Sequence, residues 1–263
     1  MKFNNVSIVG LTHLDAPHRV TSEEIEDRIA PTLNRLKIRR HMLVGLSGII
    51  ARRFWDQETS FSDAATLAAR KLLEKTGLDR DRLGIIISTS VCKDYIEPSM
   101  ACLVHGNLGL PAGCINYDVG NACLAFCNAM EIIGGLIEQG QVEFGLIVDG
   151  EGSRYAVEKT IERILDPKAD MQTYRDNYAT LTLGSGAAAM ILGRSDLVSE
   201  VHPLIGSICL ADTRHNRLCL GQPDHMVTDP SALLTAGLGL AKTTWKLAEE
   251  ELGWQGDCLD HYF

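Results

Sequence analysis

Positive charge, long apolar runs and cysteines in spaced sets are all scarce in this 263-residue sequence. Lys and Arg number 25 against 34 Asp and Glu, a net charge of −9. That balance argues against non-specific nucleic-acid binding, although a local Arg or Lys cluster could still hold a small anion. No stretch approaches the roughly 18 apolar residues that a membrane span needs. The first apolar run, Val6 to Leu11, is short, is interrupted by Ser7 and has no cleavage pattern after it, unlike a signal peptide. The eight cysteines sit largely in apolar runs, as at Cys114, Cys127 and Cys209, and do not look like a disulfide framework. A reducing cytoplasm is the expected location. Cys123 and Cys127 stand four apart, but two further ligands at zinc spacing are missing, so no metal is expected. Gly184-Ser-Gly186 lacks the lysine of a phosphate loop and reads as a tight turn. His105, His215 and His225 have no partner motif.

What is present is an alternation of strands and helices, the pattern of an α/β fold. Asn5 to Leu11 reads as a strand. Thr21-Ser-Glu-Glu24 is a capping box that opens a helix running to about Leu36. Ser60 to Asp63 starts a second helix that continues through Ala64 to Lys75. Leu83 to Ser88 is a continuous apolar run, as for a strand buried on both faces. A short helix from Ser99 to Leu108 has Pro98 in its first turn. Strands are also expected at Ile115 to Val119, Phe144 to Asp149, Ala187 to Leu192 and Leu204 to Leu210. Asp229 and Pro230 open a helix that runs to about Leu252 and stops at Gly253. A last strand begins at Cys258 and reaches Phe263 with no polar tail, the mark of a fragment.

The nine residues Asp118-Val-Gly-Asn-Ala-Cys-Leu-Ala-Phe126 carry the chemistry. A short strand passes through small residues and delivers Cys123 to the start of a helix expected over Cys123 to Gln139. The first turn of a helix has unpaired N–H groups and a partial positive charge, which favour a thiolate. Cys123 is therefore a candidate nucleophile that carries an acyl group. The alternative for a free cysteine in an apolar context is a structural thiol. The helix after it is apolar on nearly all faces, as for a helix buried between two layers. Gly134-Gly135 within it lowers helix propensity by roughly 1 kcal/mol per glycine, which suggests that another backbone packs closely there.

Several motifs occur in order: Ser47-Gly-Ile-Ile-Ala-Arg-Arg53, Asp63-Ala-Ala, Ile85-Ile-Ile-Ser-Thr-Ser90, Asp118 to Phe126, and Thr182-Leu-Gly-Ser-Gly-Ala-Ala-Ala189. Together they resemble the β-ketoacyl-ACP synthase III branch of the thiolase superfamily. Within it the sequence is most similar to the acyl-CoA condensing enzymes of long-chain olefin biosynthesis. The resemblance implies a layered α/β/α/β/α fold with buried central helices. Residues 1–195 would form the half that carries the nucleophile, and 196–263 the beginning of an incomplete C-terminal half. It also implies that Cys123 is the nucleophile, with its backbone N–H in the oxyanion hole. Val91-Cys-Lys-Asp-Tyr-Ile-Glu-Pro98 matches the segment in which a glutamate reaches into the partner subunit and acts as base, which places that role on Glu97. The assisting His and Asn would lie past Phe263, so the 263-residue chain alone is expected to be inactive. His261 falls just before the matching position and is not given the role.

The chemistry gives Glu97 weight. A decarboxylating synthase makes its carbanion by losing CO₂, whereas joining two plain acyl thioesters requires a base to remove an α-proton. Without the resemblance, Glu97 reads as a solvated carboxylate before a helix. The implied reaction is a non-decarboxylative Claisen condensation of two acyl-CoA thioesters in a homodimer. Coenzyme A enters only as part of the substrate, with no other cofactor, and further enzymes of an olefin pathway are possible partners. The alternatives are a synthase III that uses malonyl-ACP and an inactive truncated chain. One departure concerns coenzyme A. Where synthase III enzymes place a Trp and an Arg, this chain reads His41-Met-Leu-Val-Gly-Leu-Ser47. Arg52, Arg53 and Arg154 are the available cations for substrate, with none assigned to phosphate, and Arg52-Arg53 reads more readily as a solvated pair than as a ligand clamp.

Overall fold

The computed structural model describes residues 1–256 and 259–261. The chain opens with strands β1 (Val6–Asp15) and β2 (His18–Thr21), then helices α1 (Ser22–Arg28), α2 (Ala30–Arg35) and α3 (Met42–Ser47). Strand β3 (Ala51–Phe54) precedes the long helix α4 (Phe61–Thr76). Then follow β4 (Leu83–Ser88), α5 (Met100–Leu108), β5 (Ile115–Asp118), α6 (Ala125–Glu138) and β6 (Phe144–Glu151). Helices α7 (Arg154–Leu165) and α8 (Met171–Asn177) lead to β7 (Gly186–Arg194). A small ribbon of β8 (Cys219–Gln222) and β9 (His225–Thr228) precedes α9 (Pro230–Leu252).

Five strands form one mixed sheet in the order β1-β7-β6-β4-β5. β4 runs parallel to both β5 and β6, while β7 is antiparallel to β6 and β1. The apolar runs are continuous because alternate residues serve opposite faces. Leu146, Val148, Ala189 and Ile191 face α4 and α5, with Ala64, Ala65, Ala68, Leu72 and Val104 against them. Ile85, Ile87, Ile147 and Leu192 face α6, against Ala129, Ile133 and Ile137. A third cluster joins α1, α2, α3, α7 and α8 through Ile25, Leu33, Leu43, Val157, Ile161 and Tyr174. A glycine in β6 permits α4 to approach closely: a Cβ on Gly150 would stand 2.2 Å from the Phe61 carbonyl oxygen.

Local sequence accounts for several boundaries. Thr21 accepts from the Glu24 N–H at 3.1 Å while the Glu24 carboxylate accepts from the Thr21 N–H at 2.6 Å, closing the expected capping box. The helix ends at Arg28, not near Leu36, because Pro31 in the first turn of α2 has no N–H to continue the ladder. Ser99 caps α5, so Pro98 lies just outside that helix and not in its first turn. Asp229 caps α9 and Gly253 ends it in the left-handed conformation, as expected.

Three expectations are corrected, and a fourth lies outside the described residues. No strand forms over Leu204–Leu210. That segment makes only isolated bridges from Pro203 to Ser7 and from Gly206 to Lys2. Among the described residues α6 is covered by the sheet on one face and is not buried on nearly all faces. Cys127 on its other face is exposed. The close neighbour at Gly134 is also not a backbone. A Cβ there would meet the Phe3 ring at 2.8 Å, and nothing lies within 4 Å of one on Gly135. The strand expected from Cys258 to Phe263 rests on residues outside those described.

Candidate active site

Strands β4 and β5 are parallel neighbours, paired Ser88 to Asp118, so the loops that follow them leave the same end of the sheet. One loop carries Glu97 and the other Cys123. The carboxyl end of parallel strands is where open α/β sheets gather their binding loops.

The Cys123 loop is short and bent. The Val119 N–H donates to the Ser88 carbonyl at 2.9 Å, extending the strand pairing by one bond. Asn121 then adopts φ −150° and ψ 44°, and Ala122 has φ +45°. A positive φ costs a residue that bears a Cβ, and here it sits immediately before the candidate nucleophile. Ala122–Leu124 form a 3₁₀ turn, and α6 begins at Ala125. Cys123 thus lies in the turn that leads into the helix and not in its α-helical part, and it is exposed. The Leu124 N–H donates to the Asn121 carbonyl and the Ala125 N–H to that of Ala122. Side chains brace the bend. The Asn121 side-chain amide donates to Asn128 Oδ1 at 2.7 Å, and Asn128 Nδ2 donates to Glu131 at 3.4 Å. Ser207 donates to the same Glu131 carboxylate at 2.5 Å.

The Glu97 segment, residues 91–98, stands on three carboxylates. Glu151, at the end of β6, accepts the Val91 N–H at 2.6 Å and the Cys92 N–H at 3.3 Å. Asp94 accepts the Phe61 and Ser62 N–H groups at 2.8 and 3.0 Å, at the start of α4. Asp118 pairs with Lys93 at 2.9 Å and accepts the Met100 and Ala101 N–H groups at 3.1 and 2.8 Å, at the start of α5. Burial raises the Glu151 carboxyl above its ordinary range, with a smaller upward push from the Asp149 charge, against the lowering effect of the Val91 and Cys92 bonds. Burial likewise raises Asp149 and pushes the Cys92 thiol up to about 12, so Cys92 stays protonated and donates to the Gly152 carbonyl at 3.1 Å. Beyond this footing the segment is bare. Tyr95 is 61% exposed and Ile96 99% exposed. Glu97 is exposed and has no hydrogen-bond or ionic partner among the described residues. The structure therefore places Cys123 and Glu97 on adjacent loops, and no hydrogen bond joins them.

The three arginines are engaged by the chain. Arg52 is buried, donating to Ser22 Oγ at 2.9 Å and to the Val20 carbonyl at 3.4 Å, which corrects its reading as half of a solvated pair. Arg53 donates to the Ala16 carbonyl at 3.1 Å. Arg154 donates to the Trp55 carbonyl at 3.0 Å and lies 5.3 Å over the Phe54 ring. Sequence reading missed Glu151 and Asp94. The one signal for Glu151 was an acidic residue closing a buried apolar strand, where a carboxylate needs donors. No helix among the described residues is long and apolar enough to cross a membrane.

No family model matches the sequence. The acyl-CoA:acyl-CoA alkyltransferase of Xanthomonas campestris pv. campestris is 46% identical over 262 residues, covering 100% of this chain and 78% of that protein. The Shewanella oneidensis protein of the same name is 37% identical over 273 residues, covering 99% and 78%. A cysteine-to-serine variant of Xanthomonas campestris OleA with bound lauric acid and lauroyl-CoA superposes with a TM-score of 0.96 at 46% identity, over 98% of this chain and 77% of that one. A glutamate-to-glutamine variant of the same protein gives 0.97 over 99% and 76%. In that protein the substituted glutamate and cysteine are separated by as many residues as Glu97 and Cys123 here. A histidine substituted in a further OleA structure lies farther beyond its cysteine than Phe263 lies beyond Cys123. With this identity spread over its whole length and the thiolase fold shared with those structures, the chain belongs to the acyl-CoA:acyl-CoA alkyltransferase, or OleA, family.

Proposed function

We propose that this protein is an acyltransferase that joins two acyl-CoA thioesters by non-decarboxylative Claisen condensation. The Cys123 thiolate attacks the carbonyl carbon of one acyl-CoA. The tetrahedral oxyanion is held in part by the Cys123 backbone N–H, and coenzyme A leaves as its thiolate. Glu97 of a second protomer takes an α-proton from the other acyl-CoA. The resulting carbanion attacks the Cys123 thioester, forms the carbon–carbon bond and expels the cysteine thiolate. The product is a β-ketoacyl-CoA. Coenzyme A serves as substrate handle, and the chemistry calls for no other cofactor.

One observation carries this reading: an exposed cysteine in a strained turn and an unpartnered glutamate on a braced, projecting loop leave adjacent parallel strands. The spacing of the two residues, equal to that of the pair substituted in OleA, supports the roles. A homodimer follows from the same features. β5 is an edge strand with Ile115 and Tyr117 exposed, and unpaired edges invite a partner. A second copy docking there would cover that edge and receive the bare loop. Cytoplasmic location and a place beside other enzymes of an olefin pathway belong to the same reading, as does a nucleophile-bearing half over residues 1–195.

The test is incubation of the protein, as its gene encodes it, with lauroyl-CoA alone. Mass spectrometry then follows acylation of Cys123 and release of β-keto product. Cys123→Ala should abolish both, a loss of about 10³-fold or more. Glu97→Ala should leave acylation intact and slow condensation by about 10²–10⁴-fold. Normal condensation by the Glu97 variant would remove the base from Glu97. Product that forms only when malonyl-ACP is added would favour a decarboxylating synthase.

A further inference from the structure

Glu151 is a half-buried carboxylate with no cationic partner among the described residues. Its two oxygens take two consecutive backbone N–H groups, those of Val91 and Cys92. A desolvated charge without a counter-ion is costly, and a carboxylate that holds a loop through paired N–H donors recovers part of that cost. Its own backbone is fixed twice, by pairing with Gly186 across the sheet and by the Trp55 indole N–H, which donates to its carbonyl at 2.9 Å. Glu151 therefore transmits the position of a central strand to the foot of the 91–98 loop. That bond is made at Val91 and Cys92, and Lys93 and Asp94 anchor the next two positions, while the working carboxylate stands three residues beyond Asp94 on a bare tip. A small rotation at such a foot becomes a large displacement at the end.

We infer that Glu151 is a positioning residue for the condensation: it sets the direction of the loop that presents Glu97 to the partner's Cys123. The inference rests on the dimeric mechanism proposed above. Glu151 acts through the loop and touches neither substrate nor thiol. Its effect is therefore delivered to the opposite protomer's site, and only at the α-proton transfer. Misplacement of a catalytic group by about 1 Å costs about 10²-fold in rate.

Mixed dimers test this directly, with lauroyl-CoA as the probe. In the first, one protomer carries Cys123→Ser with Glu151 intact and the other carries Glu151→Ala with Cys123 intact. In the second, both substitutions sit on one protomer and its partner is unsubstituted. The first dimer should condense at about half the rate of the unsubstituted protein, because its one live cysteine meets an intact loop. The second should lose about 10²-fold, because its live cysteine meets the released loop. The reverse pattern, or equal activity in both, overturns the inference. The same pair built with Glu97→Ala in place of Glu151→Ala separates the two ideas. If Glu97 fails to act across the dimer, the underlying mechanism falls and the inference with it. If Glu97 acts across and Glu151 does not, the inference alone falls. Acylation of Cys123 in each preparation reports folding and should stay at the unsubstituted rate. Should Glu151→Ala not fold, Glu151→Gln keeps the side-chain volume and is used in the same design. It should lower kcat for condensation with KM for lauroyl-CoA unchanged.

Discussion

The two loops that leave β5 and β4 are held by different chemistry. The turn at Cys123 is braced directly by a neutral amide pair, Asn121 on Asn128, with the Glu131 carboxylate set back behind Asn128, and it stores a positive φ at Ala122. The loop at Glu97 is braced by carboxylates, Glu151, Asp94 and Asp118, which take backbone N–H groups. The difference follows from what each loop presents. A thiolate requires nearby donors and suffers from nearby anions, so amides suit its turn. A projecting base needs only a stiff foot, and carboxylates at the starts of α4 and α5 also offset those helices' exposed N–H groups.

Asp118 belongs to both loops, so its loss should break the comparison and have the largest effect. Asp118→Ala removes the anchor for Lys93 and leaves the Met100 and Ala101 N–H groups without their acceptor. Stability should fall by about 2–3 kcal/mol, read by urea denaturation. Cys123 acylation and condensation should both slow, whereas Glu97→Ala affects only condensation. Ala122→Gly sharpens the comparison from the other side. Glycine accepts φ +45° without a Cβ penalty, so the variant should gain about 0.5–1 kcal/mol while acylation slows as the turn loosens. Denaturation and acylation rate, measured together, check both halves.

The smallest effect is a pH dependence. The folded-state pKa of Glu151 is raised by burial, so its contribution to stability is present at low pH and lost as pH rises through that value. An amide in its place cannot ionise, so Glu151→Gln removes this loss. The difference in Tm between variant and parent should shift in the variant's favour from about pH 4 to about pH 8. A shift in the opposite direction would mean that the carboxylate is better solvated by Val91 and Cys92 than its burial implies.

How much of this was legible in the sequence depended on how local each interaction is. Ser60, Asp229 and Gly253 marked the ends of α4 and α9 because caps act within four residues. The same reading said nothing of burial. Seven residues of α4 are buried, whereas in α9 only Ala248 is, and that difference lies in the partners each helix meets. The run Leu83 to Ser88 gave β4 with its bounds intact. Cys123 was visible from its small-residue approach and the apolar helix after it. Glu151 and Asp94 were not, because they bind backbone groups 60 and 33 residues away that carry no sequence signature. The stretch Leu204 to Leu210 has a strand's composition, but its partners Lys2 and Ser7 offer only single bridges.

The order of the sheet also bears on how the chain folds as it is made. Of the described strands β1 is made first, yet its neighbour in the sheet is β7, and Phe3 and Ser7 bond to Ile205 and His202. β4, β5 and β6 can assemble with α4 to α6 as soon as each emerges, through connections of ordinary length. Val6–Asp15 must wait until Gly186–Arg194 has left the ribosome before the two strands can pair. Until then an apolar strand hangs unpaired, the situation in which nascent chains depend on holding chaperones. A segment made early is therefore among the last to be locked in place.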